Sequence, residues 1–158
     1  MWTDQRGSEQ LSLAECHRLL DAAAKRGLTG RVGVSTSGPP IIQPVNFGYH
    51  DHRVVIRIGP GHLADALADA PVAFEVDHVD RQVGKAWSVV VRGTATRVLD
   101  DDRRAVTGSA PAPIVPAPGD EVFLIHLDVV TGRRFHVERA VARSADHRPR
   151  NQAAATPG

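Results

Sequence analysis

The apolar residues of this chain fall in short runs rich in Val and Ile, each cut off by a Gly-, Pro- or Asp-containing turn. Branched side chains suit a pleated surface, and short apolar runs bounded by turn residues read as strands. Only four Phe, two Trp and one Tyr are present among 158 residues, so the core has to be built from Val, Ile, Leu and Ala. The pattern predicts a mainly β domain, a barrel or sandwich with short helices.

The chain opens with a helix over residues 12–26. Ser12 and Glu15 have the spacing of a capping box, and Leu13, Cys16, Leu20 and Ala24 recur at helical intervals. Strands follow over 30–35, 41–47 and 53–58, joined by turns too short for crossovers. Pro44 lacks an amide hydrogen and belongs on an edge or at a bulge. A short helix runs from His62 to Ala70, then a strand over 72–76, a polar loop over 77–85 and a long strand over 87–99, with Gly93 as a bulge or bend. A third short helix near 100–107 and a proline-rich loop over 108–119 precede strands at 121–129 and 133–137, around a turn at Thr131-Gly132.

About seven strands and two or three helices make one domain over 11–137. Residues 1–10 read as a flexible N-terminus and 138–158 as a disordered tail. Lys+Arg is 19 against 18 Asp+Glu, a net charge of +1, which lacks the basic excess of a nucleic-acid binder. The single cysteine, Cys16, excludes an intramolecular disulfide and a multi-cysteine metal site. No apolar run reaches the ~18 residues of a membrane span. The opening MWTDQRGSEQ has no signal-peptide core, so the expected location is the cytoplasm, with no membrane partner.

Most chemical motifs are absent. Eight histidines are scattered without ligand spacing, His50-x-His52 reads as a solvated turn pair, and no metal is expected. Cys16 lies on an apolar helix face as a structural thiol. No Ser sits in a Gly-x-Ser-x-Gly context, there is no phosphate-binding Walker loop, and Gly59-Pro60-Gly61 is not a dinucleotide fingerprint. Three features point to a ligand instead. Arg57 ends a strand, Gly59-Pro60-Gly61 turns, and a helix begins at His62, which suits a phosphate. Trp87-Ser88 opens a long strand, where an indole can cover a flat ring or serve as a core anchor. Asn46 follows Pro44-Val45 on an edge that offers donors and acceptors to a heterocycle.

These features occur in order with Gly30-Arg31-Val32-Gly33-Val34, Pro44-Val45-Asn46-Phe47, Val55-Ile56-Arg57, Val72-Ala73-Phe74-Glu75-Val76-Asp77, Trp87-Ser88-Val89-Val90-Val91-Arg92-Gly93 and Thr131-Gly132-Arg133-Arg134. The set resembles the pyridoxamine 5′-phosphate oxidase-like, FMN-binding split-barrel family over residues 11–137. The resemblance implies a six-stranded split β-barrel, a homodimer, and FMN at the dimer interface. By it, Arg57, Ile58, Gly59, Gly61 and His62 would surround the FMN phosphate. Val45, Asn46 and Phe47 would line the isoalloxazine ring. Trp87 and Ser88 would approach from a neighbouring strand or the partner subunit, and Arg133 and Arg134 would lie near the site. Many relatives have a Thr and a Lys on the phosphate where this chain has Ile58, His62 and Leu63, so F420 or haem stand as alternative cofactors. The implied activity is a flavin-dependent oxidoreductase acting on a small electron acceptor, with no catalytic side chain assigned. The alternatives are a non-catalytic flavin, F420 or haem sensor, and a cofactor-free dimer on the same scaffold.

Overall fold

In the computed structural model, residues 7–99, 106, 111–112 and 118–139 are described. The third helix near 100–107, most of the proline-rich loop and the tail beyond 139 lie outside these residues.

The elements in chain order are β1 (Glu9–Gln10), α1 (Leu13–Lys25), β2 (Thr29–Val34), β3 (Ile41–His50), β4 (Arg53–Ile58), α2 (His62–Leu67), β5 (Ala70–Asp80), β6 (Lys85–Arg97), β7 (Glu121–Ile125) and β8 (Val129–His136). All strand pairings are antiparallel. The ring β6-β5-β2-β3-β4-β7 closes through pairing of β7 back onto β6, giving a six-stranded barrel, while β8 and β1 extend the sheet from the other half of β6. The split-barrel expectation holds.

The barrel is filled by the inward residues of each strand, as alternation demands. Phe74, Phe123, Ile56, Ile125 and Val32 are fully buried, and Phe47 meets Phe74 edge-to-face with ring centroids 4.9 Å apart. α1 lies against β3 and β8, burying Cys16, Leu20 and Ala23. Leu13, assigned to that face by spacing, is 58% exposed instead; it is the first residue of the helix, at the end of the packed stripe of Cys16, Leu20 and Ala23.

Ser12 and Glu15 form the expected box: Ser12 Oγ accepts from the Glu15 amide at 3.3 Å and Glu15 Oε2 accepts from the Ser12 amide at 2.9 Å. The Ser12 backbone bond holds the Glu15 carboxyl below its ordinary range. Its contribution to stability is therefore present at neutral pH and is lost as pH falls through that lowered range. Ser12→Ala is expected to lower stability by about 1 kcal/mol, measured by urea unfolding.

Several boundaries differ from the sequence reading. The polar stretch 77–85 is strand as far as Asp80, paired with Lys85–Ser88, because this end of the β5–β6 hairpin is partly exposed on both faces and tolerates polar side chains on each. The turn is only Arg81–Gly84, where Asp80 Oδ1 accepts from the Gln82 and Val83 amides and Gly84 takes a positive φ of 75°. The second helix stops at Leu67 rather than Ala70. Thr131-Gly132 is not a turn but the middle of β8, and the β7–β8 turn is at 126–128. Gly132 serves helix packing, since a Cβ there would lie 2.6 Å from Cys16 Sγ. Gly93 forms no bulge: β6 runs in unbroken register with β5 through Val72↔Gly93. Glu9 and Gln10 pair with Arg134 and Arg133, so that part of the expected flexible N-terminus is strand.

Candidate functional site

The split in the barrel arises where β3 changes partner. Residues 47–50 of β3 pair with β4, joined by a tight turn with Asp51 and His52 at φ 48° and 57°. Two positive-φ residues give the type I′ geometry that matches strand twist. Residues 41–46 pair only with β2, while Arg57 and Ile58 of β4 pair with Val122 and Glu121 of β7. Beyond the last shared pair, Phe47↔Ile56, the two strands part. Pro44 lies on the edge of β3 that this parting leaves without a strand partner, which is why it is tolerated there.

A cleft of about 350 Å³ fills the parting, with Gln43–Val45 on one wall and Arg57–Leu63 on the other. That size is in the range of small-ligand pockets. Arg57 is half-buried on its wall, and no described residue forms an ion pair or hydrogen bond with it. Its cross-strand neighbour on β7 is the apolar Val122, and the next residue, Glu121, opposite Ile58, is taken by Arg97 at 2.6 Å. A fixed cation left without an internal partner in a concave site favours an anion. Gly61 starts α2 at φ 140°, a conformation side-chain-bearing residues rarely adopt, and no side chain caps the amides that follow. A Cβ on Gly61 would meet nothing within 4 Å, so the backbone is open on the cleft side. Val45 and Ile58 are buried and supply apolar wall.

The structure thus gathers Val45, Arg57, Ile58, Gly59, Gly61 and His62 into one cleft. Gln43, Pro44, Pro60 and Leu63 also line it. Pro60 lies within the turn read as the phosphate seat and Leu63 just after it, Pro44 was read as an edge residue, and Gln43 carried no signal. Asn46 is beside the cleft, and its amide donates to the Ala112 carbonyl at 3.0 Å. Phe47 is buried against Phe74 in the core.

Trp87 and Ser88 are elsewhere in the same chain. They lie ten residues before Arg97, the end of β6 that meets β7, about 30 Å along the strand. Trp87 packs against the core with His78 alongside at 6.4 Å, the anchor role considered for it above. Arg133 donates to Ser8 Oγ at 2.7 Å, and Arg134 pairs with Glu9 at 3.5 Å and Glu15 at 3.7 Å, at that same far end. Among the described residues, no group of three His, Cys, Asp or Glu gathers for a metal ion, and no helix is long and apolar enough to cross a membrane.

A six-stranded antiparallel barrel, opened between two strands around an arginine and a glycine-bounded turn, defines the split-barrel class. The model of the pyridoxamine 5′-phosphate oxidase family matches residues 12–134, and the chain belongs to that family. An uncharacterized protein of Mycobacterium tuberculosis is 35% identical over 112 residues, covering 67% of this chain and 74% of that protein. The FAD binding protein of Mycobacterium smegmatis is 30% identical, with a TM-score of 0.69 over 81% of this chain and 98% of that one. An FAD and heme binding protein of the same species, at 20% identity and a TM-score of 0.61, covers 84% of this chain and 76% of that one and shares the fold.

Proposed function

We propose that the protein binds a flavin nucleotide in the cleft between β3 and β4 and works as a flavin-dependent oxidoreductase on a small acceptor. The observation that carries this reading is Arg57, a half-buried guanidinium with no partner among the described residues, on the wall of a cleft beside an open glycine turn. The residues present fit the group. Arg57 would take the phosphate with a bidentate, permanently charged contact, and the exposed backbone at Gly59–Gly61 lets it approach closely. Val45 and Ile58 would keep water from the apolar part of the ligand. The unpaired edge of β3 leaves backbone donors and acceptors for a heterocycle's polar rim. His62, at the start of α2, stands beside the phosphate position in place of a lysine.

When bound, the flavin supplies the electron-transfer chemistry. The chain's part is then to bind, orient and desolvate. Among the described lining residues only Arg57 and His62 are ionisable, and none offers a carboxylate or thiol to act as acid or base. That poverty also supports a second reading, a flavin carrier or sensor without turnover.

FMN and FAD share the phosphate that Arg57 would hold. The M. smegmatis relative is named for FAD, which favours the dinucleotide over the FMN implied by the resemblance. The test is titration of the purified protein with FMN, FAD, F420 and haem, following absorbance and flavin fluorescence. Saturable binding of FAD or FMN is expected. Uptake of haem or F420 alone, or of none of the four, overturns the proposal. Reduction of the bound flavin by a nicotinamide cofactor, followed by reoxidation with small acceptors, separates the enzyme from the carrier.

A second copy of the chain belongs to the same proposal. Trp87 and Ser88 do not line the cleft of their own chain, and a partner copy is the route by which they would reach a ligand there. Ile42, Val90 and Val129 are exposed at 71%, 36% and 41% on the outer sheet surface, near the exposed Arg92. An apolar patch of this kind suits a homodimer. Val90→Glu is expected to shift the protein from dimer to monomer in light scattering after size exclusion; a monomeric parent protein overturns the pairing.

A further inference from the structure

Away from the cleft, three side chains that the sequence keeps 32 and 35 residues apart meet at the closed end of the β3–β4 hairpin. His17 stands on α1, Tyr49 near the end of β3, and His52 in the turn before β4. Tyr49 Oη is hydrogen-bonded to His17 Nδ1. His52 Nδ1 lies 3.4 Å from the same His17 Nδ1, and the two imidazole rings meet edge-on at 86° with centroids 4.8 Å apart. Tyr49 packs partly buried against the core, whereas His52 is open to solvent.

The number of protons on the two imidazoles decides whether these contacts can persist. Burial, with Asp21 adding to it, pushes the Tyr49 hydroxyl up to about 12, so the phenol keeps its hydrogen at neutral and acid pH. A neutral His17 Nδ1 accepts that hydrogen, and a neutral His52 adopts the tautomer that suits its neighbour. One added proton is also accommodated, because a protonated His17 donates to the Tyr49 oxygen or to a bare His52 nitrogen. A second proton is not. Two N–H hydrogens and two positive charges then face each other across 3.4 Å. The carboxylates on the surrounding elements are already engaged. On α1, Asp21 pairs with Lys25 at 2.7 Å and Glu15 faces Arg134 of β8 at 3.7 Å. In the turn, Asp51 pairs with Arg53 of β4 at 2.9 Å. Arg18 beside His17, and His50 at the end of β3, bring no negative charge. Burial, and then His52, hold the His17 pKa below the ordinary histidine value. The folded chain therefore takes up this proton less readily than the unfolded chain, and the associated stability is present above the ordinary value and lost as pH falls.

We propose that His17, Tyr49 and His52 form a pH-sensitive latch, which ties α1 to the β3–β4 hairpin while at least one imidazole is neutral and lets go once both are protonated. The hairpin it grips is the one whose strands part beyond Phe47↔Ile56 to form the cleft. The barrel's strand pairings involve none of the three side chains, so release loosens the attachment of the helix without opening the ring.

Tyr49 is the only tyrosine in the chain, which makes its ring a site-specific probe. The test follows magnetisation transfer between the Tyr49 ring and the His17 ring by NMR in the full chain, at about pH 8 and about pH 5, either side of the histidine range. In the parent protein the contact is expected at the higher pH and lost at the lower, with far-UV circular dichroism unchanged. In His52→Asn a single imidazolium can donate to the Tyr49 oxygen, so the contact is expected to persist at both. Asn tolerates the positive φ of 57° at this position, so the turn is retained. The fall in melting temperature between the two pH values should be smaller in His52→Asn than in the parent. His50→Ala, on the same hairpin, should release as the parent does. A contact that persists in the parent at acid pH, equal loss of it in His52→Asn, or unfolding of the whole chain before the contact is lost each overturns the proposal.

Discussion

Gly93→Ala is expected to destabilise the protein by about 4 kcal/mol or more, among the largest effects a single substitution produces. A Cβ at this position would lie 1.6 Å from the His126 carbonyl oxygen and 2.8 Å from its carbon, both backbone atoms. The β7–β8 turn crosses directly over Gly93 and is pinned on both sides of it. His126 N–H donates to the Thr94 carbonyl at 3.0 Å and Asp128 N–H to the Arg92 carbonyl at 3.1 Å. That crossing lets one edge of β6 serve two strands, β8 over Lys85–Arg92 and β7 over Ala95–Arg97. Moving the turn to admit a methyl group breaks both hydrogen bonds and opens the barrel at its closing seam. Typical domain stability is about 5–15 kcal/mol, so much of the chain should be unfolded or aggregated at 37 °C. Gly33→Ala is the control. Its Cβ would meet nothing closer than 3.8 Å, an ordinary contact, and stability should change by under about 1 kcal/mol. Urea unfolding of the two variants beside the parent decides it; equal midpoints for Gly93→Ala and Gly33→Ala would show that the crossing yields at no cost.

This seam also marks where sequence reasoning stopped. Short Val- and Ile-rich runs located most of the strands, and Leu and Ala at helical spacing located both described helices, because one-sided burial leaves a period that survives in the sequence. The reason for a glycine does not survive in that way. Gly93 and Gly132 were read as a bend and a turn, the local explanations, whereas both permit close approach by segments distant in sequence: the 126–128 turn and the helix face around Cys16. Asp77 to Asp80 were taken for part of a loop because both faces of the strand are partly exposed at this end of the hairpin, so no alternation of apolar and polar residues marks it.

The cleft was legible for a related reason. Arg57, Gly59, Gly61 and His62 are consecutive or nearly so, and a strand–turn–helix joint keeps neighbours in sequence near one another in space. Its opposite wall, Gln43–Val45, was half legible through Pro44. The His17–Tyr49–His52 cluster gave no signal at all. His50-x-His52 was read as a solvated turn pair; the tight turn is there, but it gives His52 a partner on α1.

Arg57→Ala is expected to abolish most flavin retention while leaving the fold intact. A hydrogen bond to a charged group contributes roughly 1.5–3 kcal/mol, so affinity should fall about ten- to a hundredfold. The protein's own stability should hardly change, because Arg57 is only half-buried and forms no ion pair with a described residue that the substitution could break. Removing it even relieves the field of an uncompensated cation. Arg57→Lys keeps the charge but not the planar two-point contact, and its affinity should fall between the other two. Raising the salt concentration should weaken binding in the parent protein and in Arg57→Lys, and have less effect on Arg57→Ala, since only the first two retain a cation for the phosphate at this position. Fluorescence titration with FAD and FMN at two ionic strengths, alongside thermal unfolding of each variant, separates the outcomes. If Arg57→Ala binds flavin as tightly as the parent, the phosphate lies elsewhere and the cleft between β3 and β4 is not its seat. If it binds weakly but also melts early, the guanidinium supports the barrel wall rather than a ligand.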